Sequence, residues 1–386
     1  MIKGTFPTDK FKNIETPFYY YDADLLKRTI NIVKEEIKKY GFHQHYAVKA
    51  NANRKILETI ASAGFGADCV SGNEIKAAVN AGFPASKIVF AGVGKTDKEI
   101  NLALDLNIFC FNVESLPELE VINDLATKKG KTANIALRIN PNVDAHTHEY
   151  ITTGLNENKF GISMEHIEDI LEKMQKMSNV KLIGLHFHIG SQIEDISVFK
   201  PLCEQINLLL AVFYNRNINI EVINVGGGLG IDYENPNENP IADFASYFAL
   251  FHDNLKLKDG QSVHFEIGRA IVAQCGSLIT RVLYIKEGET KKFAIVDAGM
   301  TDLIRPALYQ AYHKIENISS DESDEEYDIV GPICESSDTF AKSYKMSQTK
   351  RGDFLAIRSA GAYGEIMASQ YNCRELPKAY MSDKLN

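Results

Sequence analysis

The sequence predicts a (β/α)8 barrel followed by a smaller, mostly β domain. Three observations carry this. Eight short apolar runs, rich in β-branched and aromatic residues, recur between His45 and Ile267. Most intervals between them hold a longer amphipathic pattern, as crossover helices require. After about Ser277 the helical alternation stops, and strand-like runs follow one another through turn or loop material.

The predicted barrel strands are His45–Lys49, Ala67–Ser71, Ile88–Gly92, Phe109–Glu114, Ile135–Asn140, Leu182–Ile189, Glu221–Gly227 and Val263–Ile267. Helical intervals include Asn53–Gly64, Gly72–Gly82, Lys95–Asn107, Leu116–Lys129, Met164–Met177 and Val198–Asn215. Gly64, Gly82 and Gly130 stand where helix C-terminal stops belong. The pattern fits less well after the seventh strand, where Asn235–Pro240 makes a loop before the next helix. Further on, Leu278–Lys286, Lys292–Asp297, Tyr327–Val330 and Phe354–Ser359 read as strands. Pro17–Tyr21 also reads as a strand, expected to join the β domain from the other end of the chain. The expected division is 1–22 as a segment of the β domain, 23–270 as the barrel and 271–386 as the β domain. The acidic stretch Glu316–Asp328 reads as a solvated loop.

Composition bounds the partners. A chain of 386 residues can hold two domains and a large core. Its 45% hydrophobic and 24% charged residues are those of an ordinary soluble globular protein. A net charge of −9 disfavours nucleic acid. No apolar run is expected to be long enough to span a bilayer, and Met1–Pro7 lacks the apolar stretch of a secretory signal. The cysteines at 69, 110, 203, 275, 334 and 373 show no C-x-x-C spacing, so free thiols in a reducing cytoplasm are expected.

In a (β/α)8 barrel the chemistry collects at the C-terminal ends of the strands. Here the first predicted strand ends at Lys49, the second reaches Asp68 and the fifth carries Arg138. The sixth runs through His186-Phe187-His188-Ile189-Gly190-Ser191-Gln192, the seventh ends in Gly226-Gly227-Gly228-Leu229-Gly230, and the eighth in Glu266-Ile267-Gly268-Arg269. Each has a bland reading: a snorkelling surface lysine, a hydrogen-bonded barrel histidine, a tight strand-to-helix turn. The functional reading is a poorly solvated nucleophilic amine at Lys49 and a backbone cradle for a phosphate at Gly226–Gly228. The glycine run follows the seventh strand, where such barrels often bind phosphate, so it is not a dinucleotide fingerprint. A cofactor with one phosphate and an aldehyde that takes up a lysine fits this set: pyridoxal phosphate. The pairs His186/His188, His43/His45 and His146/His148 lack a nearby third ligand motif, so no metal is expected.

These motifs carry a resemblance. Tyr46-Ala47-Val48-Lys49-Ala50-Asn51, the His186–Gln192 run, Gly226-Gly227-Gly228, Arg305-Pro306-Ala307-Leu308-Tyr309, Gly331-Pro332-Ile333-Cys334-Glu335-Ser336 and Ala360-Gly361-Ala362-Tyr363-Gly364 occur in that order. From about Thr16 to the C-terminus the chain resembles the fold-type III pyridoxal-phosphate-dependent decarboxylases, with the alanine racemase-like fold, and within them the family acting on diaminopimelate. One departure stands out: Ile267 replaces the proline usual in the Glu-Pro-Gly-Arg motif. Proline would pre-set φ near a helix start; with Glu266 and Arg269 kept, function is expected to survive.

The resemblance implies decarboxylation of meso-2,6-diaminopimelate to L-lysine and CO2, the last step of lysine biosynthesis. It assigns Lys49 to covalent attachment of pyridoxal phosphate, Glu266 to the pyridine nitrogen and His188 to the ring face. Ser191, the Gly226–Gly228 backbone, Gly268 and Tyr363 are assigned to the phosphate, with Asp68 and Arg138 in support. Arg269, Arg305 and Tyr309 would take the distal carboxylate and Glu335 the distal ammonium, with Tyr363 also against substrate. Cys334 would protonate the carbanion; the alternative is a buried structural cysteine. The resemblance also implies a homodimer in which the Cys334-Glu335 segment completes the neighbour's site. Sister decarboxylases of carboxynorspermidine, ornithine or arginine share the lysine, glycine and glutamate elements, and a non-catalytic regulator could keep the fold. Arg305 with Tyr309 favours a substrate with a second carboxylate.

Overall fold

The computed structural model describes residues 3–141 and 159–385. After strand β1 (Phe18–Tyr21), eight parallel strands alternate with helices. They are β2 (His43–Ala47), β3 (Gly66–Cys69), β4 (Ile88–Phe90), β5 (Cys110–Val113), β6 (Ala133–Arg138), β7 (Val180–His186), β8 (Val222–Asn224) and β9 (Ser262–Phe265). Each pairs with its sequence neighbours, and β9 returns to β2 through His43↔His264, closing the barrel. Every residue of β3, β4 and β5 is buried, as expected of parallel strands covered on both faces.

Local chemistry ends the helices between strands. Thr96 accepts from the Glu99 N–H while the Glu99 carboxylate takes the Thr96 N–H, a reciprocal cap that starts the helix Asp97–Leu106. Asn107 stops it at φ 50°. Ser115 caps Leu116–Lys129, Pro117 sits in its first turn, and Gly130 ends it at φ 62°.

Two expectations change here. The stretch Ile196–Asn215 is apolar and long enough to cross a bilayer. However, Leu202, Cys203, Ile206, Leu209, Leu210 and Phe213 form one buried stripe, and Phe199 meets Tyr247 edge-on at 5.1 Å. That is a helix covering a barrel. His43 and His45 do not form an isolated pair. They stack with His264, His45 Nε2 lies 2.7 Å from His264 Nδ1, and the Phe109 ring continues the stack. Their strands' N-terminal ends place this stack at the end of the barrel opposite Lys49. Among the described residues no three His, Cys, Asp or Glu side chains cluster as metal ligands; His146 and His148 lie outside the described residues.

The chain forms two compact units. The barrel unit comprises Ile30–Gly230 and Asp243–Gly268; the other comprises Met1–Thr29, Ile231–Ala242 and Arg269–Asn386. The second is built on β10 (Gly276–Glu287), β11 (Lys292–Val296), β12 (Ile315–Asn317), β13 (Asp324–Val330), β14 (Thr339–Ser347), β15 (Phe354–Ile357) and β16 (Lys378–Met381). Sheet order is β12-β15-β10-β11-β13-β14, and β1 runs antiparallel to β10 and parallel to β16. Residues 231–242 are tied into this unit, since Gln274 Nε2 donates to the carbonyls of Asp232 and Asn239 at 3.0 Å.

The acidic stretch is not one solvated loop. Its ends form β12 and part of β13, and Glu316 is buried. Glu316 accepts from Arg358 Nη1 and from Asn237 Nδ2, both at 2.6 Å. A run of like charges on paper thus hides a buried carboxylate whose partners lie far away in sequence.

Candidate active site

The C-terminal ends of the barrel strands carry a layer of polar side chains. Lys49 does not end β2. It lies in the single 3-10 turn Val48–Ala50 that follows, which lifts its amine beyond the apolar strand. Its Nζ is 3.4 Å from Oδ2 of Asp68, buried on β3. Asp68 Oδ1 has no hydrogen-bond partner among the described residues. Burial pushes the Asp68 carboxyl up to about 7, the negative charge of Glu266 adds to this, and Lys49 opposes it.

Glu266 follows β9 directly and is also buried. Its Oε1 accepts from Asn112 Nδ2 at 2.9 Å and Asn224 Nδ2 at 2.6 Å, and Oε2 meets His186 Nε2 at 2.9 Å. Burial would raise this carboxyl, but His186, Lys49 and Asn224 hold it well below the usual range. The two carboxyls are therefore driven apart: Glu266 keeps its charge, and Asp68 holds a proton up to near neutrality. Asn112, His186 and Asn224 sit at or near the ends of β5, β7 and β8. The sequence marks no role for Asn112 and Asn224, and none for His186 beyond a metal pair. The available signal was a polar residue near the end of each apolar run.

The asymmetry has a thermodynamic signature. A raised Asp68 binds its proton more tightly in the folded chain than in the unfolded one. Its contribution to stability is thus lost as pH rises from about 4 to about 7. Asp68→Asn removes this loss. In the cofactor-free chain, the variant's stability relative to the parent should increase between those pH values and then level off in denaturant titrations. A flat difference would remove the assignment.

His188 is half-buried, and its Nδ1 accepts from the Gly227 N–H at 3.4 Å. Enclosure and the charges of Arg138 and Lys49 push its pKa well below the usual value, so the imidazole is neutral. Gly228 adopts φ +113°, which favours glycine, and a Cβ on Gly227 would strike the Glu266 carbonyl. A Cβ on Gly268 would come within 2.9 Å of those of Ala47 and Ala50. Ser191 is half-buried at the same end of the barrel. Ile267 is buried, and its carbonyl accepts from Gln44 Nε2 at 3.0 Å.

Arg138, at the end of β6, donates through Nη1 to Glu114 Oε1 at 3.0 Å and lies over the Phe160 ring. The Glu114 carboxylate also receives the N–H groups of Gly92 and Gly161. Glu114, unmarked in the sequence, thus joins the ends of β4, β5 and β6. An amine, a neutral imidazole, an anionic carboxylate and a side-chain-free backbone turn gather at one barrel end. That donor set fits pyridoxal phosphate: covalent attachment at Lys49, the pyridine nitrogen at Glu266 and the phosphate at the glycine turn.

In the second unit, Arg269 and Arg305 are buried and both donate to the Tyr233 hydroxyl. Arg269 lies over the Tyr363 ring at 4.8 Å, and Tyr309 is half-buried at the end of the helix Arg305–Tyr309. Cys334 and Glu335 occupy the turn between β13 and β14 and are exposed, so Cys334 is not a buried structural thiol. Asp338 fixes the turn by accepting from Ile333 N and Met300 N. Asn372 Oδ1 accepts from Cys334 N at 3.2 Å, and Tyr371 donates to Glu335 Oε1 at 2.7 Å. Tyr233, Tyr371 and Asn372 carry no sequence signal beyond their residue type.

Residues 23–273 match the model of the pyridoxal-dependent decarboxylases, pyridoxal binding domain. The chain is 63% identical to the diaminopimelate decarboxylase of Bacteroides thetaiotaomicron over 385 residues, 100% of both chains. It is 44% identical to that of Helicobacter pylori strain J99, over 94% of this chain and 89% of the relative. The crystal structure of the Helicobacter pylori diaminopimelate decarboxylase complexed with L-lysine superposes with a TM-score of 0.91 at 42% identity, covering 98% of this chain and 94% of that one. The chain belongs to the pyridoxal-dependent decarboxylases and, within them, to the diaminopimelate decarboxylase family.

Proposed function

We infer that this chain decarboxylates meso-2,6-diaminopimelate at its D-configured centre, giving L-lysine and CO2 with pyridoxal phosphate as cofactor. The observation that carries this is the full-length likeness to the diaminopimelate decarboxylases. When bound, the cofactor supplies a sink for the electron pair left as CO2 departs. Lys49 would hold it covalently through its amine. Glu266, kept anionic and braced by Asn112, Asn224 and His186, would face the pyridine nitrogen. Neutral His188 would lie against the ring face, and Ser191, Gly226–Gly228, Gly268 and Tyr363 would take the phosphate. Asp68 and Arg138 support Lys49 and the strand ends from behind.

Arg269, Arg305 and Tyr309 bind the distal carboxylate, Glu335 the distal ammonium, and Tyr363 contacts the substrate. Lysine and ornithine lack that carboxylate and would leave two buried guanidiniums unmatched. Sites of this kind discriminate by about 10⁴–10⁵-fold. Cys334 protonates the carbon that has lost CO2. The exposure of Cys334 and Glu335 on their own chain supports their service in a neighbouring copy, hence a homodimer with two shared sites. Six unpaired thiols suit a reducing compartment such as the cytoplasm.

The test is CO2 release from meso-diaminopimelate, with and without added pyridoxal phosphate, beside lysine, ornithine, arginine and carboxynorspermidine. Cofactor-dependent release from the diacid alone is expected. Faster release from a substrate without the second carboxylate would overturn the substrate assignment.

A further inference from the structure

Two guanidinium groups meet at one phenol oxygen. Arg269 Nη1 donates to the Tyr233 hydroxyl at 2.7 Å, and Arg305 Nη1 donates to the same oxygen at 2.8 Å. Arg305 also lies over the Tyr233 ring, 5.1 Å from its centroid. Behind Arg305, His313 Nε2 is 3.0 Å from Nη1, while His313 Nδ1 is 2.8 Å from the Arg358 carbonyl. A carbonyl can only accept, so Nδ1 carries the proton and Nε2 accepts from Arg305. Burial and the charge of Arg305 hold His313 down to about 3, which keeps it a neutral acceptor.

Such a contact is unusual for two like charges. Each guanidinium is buried, and each would swing away from the other unless something fixed it. A hydroxyl oxygen has two acceptor lone pairs, and here one goes to each arginine. The contacts leave their mark on Tyr233: burial alone would raise its hydroxyl, but Arg269 and Arg305 outweigh that and lower it. A guanidinium has five N–H donors in a planar fork, and holding Arg269 through Nη1 to Tyr233 and Arg305 through Nη1 to both Tyr233 and His313 fixes the direction of each fork.

We propose that Tyr233 is the positioning and specificity residue of the distal-carboxylate grip, its hydroxyl setting the spacing and aim of Arg269 and Arg305 so that a second carboxylate is matched. This rests on the assignment of those two arginines to the distal carboxylate. Tyr233 lies in the segment Ile231–Ala242, which groups with Arg269 and Arg305 in one unit. The grip is therefore assembled from three separate stretches of chain.

The decisive variant is Tyr233→Phe in the holoenzyme, which keeps the ring against Arg305 and His313 and removes only the shared oxygen. KM for meso-diaminopimelate should rise about tenfold, as loss of a hydrogen bond to a charged group predicts, with kcat within about twofold. Binding of pimelate, the same seven-carbon diacid without its amines, should weaken by a similar factor in calorimetry. The absorbance of the bound cofactor should not change. KM and pimelate affinity both within about twofold of the parent would overturn the proposal, as would a fall in kcat at constant KM. Should the parent bind pimelate yet release no CO2, the activity assignment fails, and the pimelate comparison alone decides for or against Tyr233. A parent that does not bind pimelate overturns the grip and Tyr233's role in it together.

Discussion

Lys49→Ala is expected to abolish CO2 release, a loss of at least about 10⁴-fold, the upper end of what a single acid–base group supplies. Lys49 is both the residue proposed to hold the cofactor and the positive charge beside two buried carboxyls. Its removal leaves Glu266 anionic through His186 and the two asparagines, while Asp68 loses the charge that opposes its protonation. The variant should therefore bind cofactor more weakly and lack the visible absorbance of the lysine-bound form. The fold should persist, because the Lys49 side chain is 40% exposed and carries little of the core. Added alkylamine should return a fraction of turnover by supplying the missing nitrogen. Spectral titration, calorimetric unfolding and CO2 release together separate these effects. Retention of both turnover and absorbance would remove Lys49 from the mechanism.

Much of this was legible in the residues, for a physical reason. Parallel strands covered on both faces are mostly apolar, so most of the runs that form β2 to β9 are visible as runs. Their boundaries were less so. The first was expected at His45–Lys49 and lies at His43–Ala47, because Val48–Ala50 is as apolar as a strand yet turns into a 3-10 helix. The helix Ala23–Tyr40 falls outside the predicted elements, although Leu26, Ile30 and Val33 recur at helical spacing and are buried. β14 and β16 escape the pattern because Lys342, Ser343 and Lys345 interrupt the apolar residues of β14, and β16 is only four residues long. Glu316 shows the harder limit: nothing nearby in sequence marks Arg358 as its partner. The same holds for Tyr233. A tyrosine between an aspartate and a loop carries no motif, and only the fold brings Arg269 and Arg305 to its oxygen. The barrel groups proposed to do chemistry lie at strand ends where pattern finds them; groups that orient them are chosen by three-dimensional neighbours.

Cys334→Ala should lower turnover by about 10²–10⁴-fold while leaving cofactor affinity and absorbance unchanged, since an acid–base group is lost and no cofactor contact is. A structural cysteine would instead lose both, or neither. The stronger form of this prediction uses two inactive proteins. Lys49 belongs to the barrel unit, and Cys334 is exposed in a turn of the other. If Cys334 serves the site of a neighbouring copy, a hybrid of one Lys49→Ala and one Cys334→Ala subunit holds one site with both defects and one with neither. Statistical exchange places half of all dimers in the hybrid state, and each hybrid keeps one of two sites. Mixtures should thus recover up to about a quarter of parental turnover after subunit exchange, from components that have almost none. If Cys334 instead serves its own chain, every site in every mixture lacks one of the two groups, and no recovery is possible. Dissociating the mixed proteins in mild denaturant, allowing them to reassociate and assaying CO2 release decides between the two. Tyr371 and Asn372 give the outcome a second control. They brace Cys334 and Glu335 from the same chain, so a defect there should follow the Cys334 subunit in the mixing experiment.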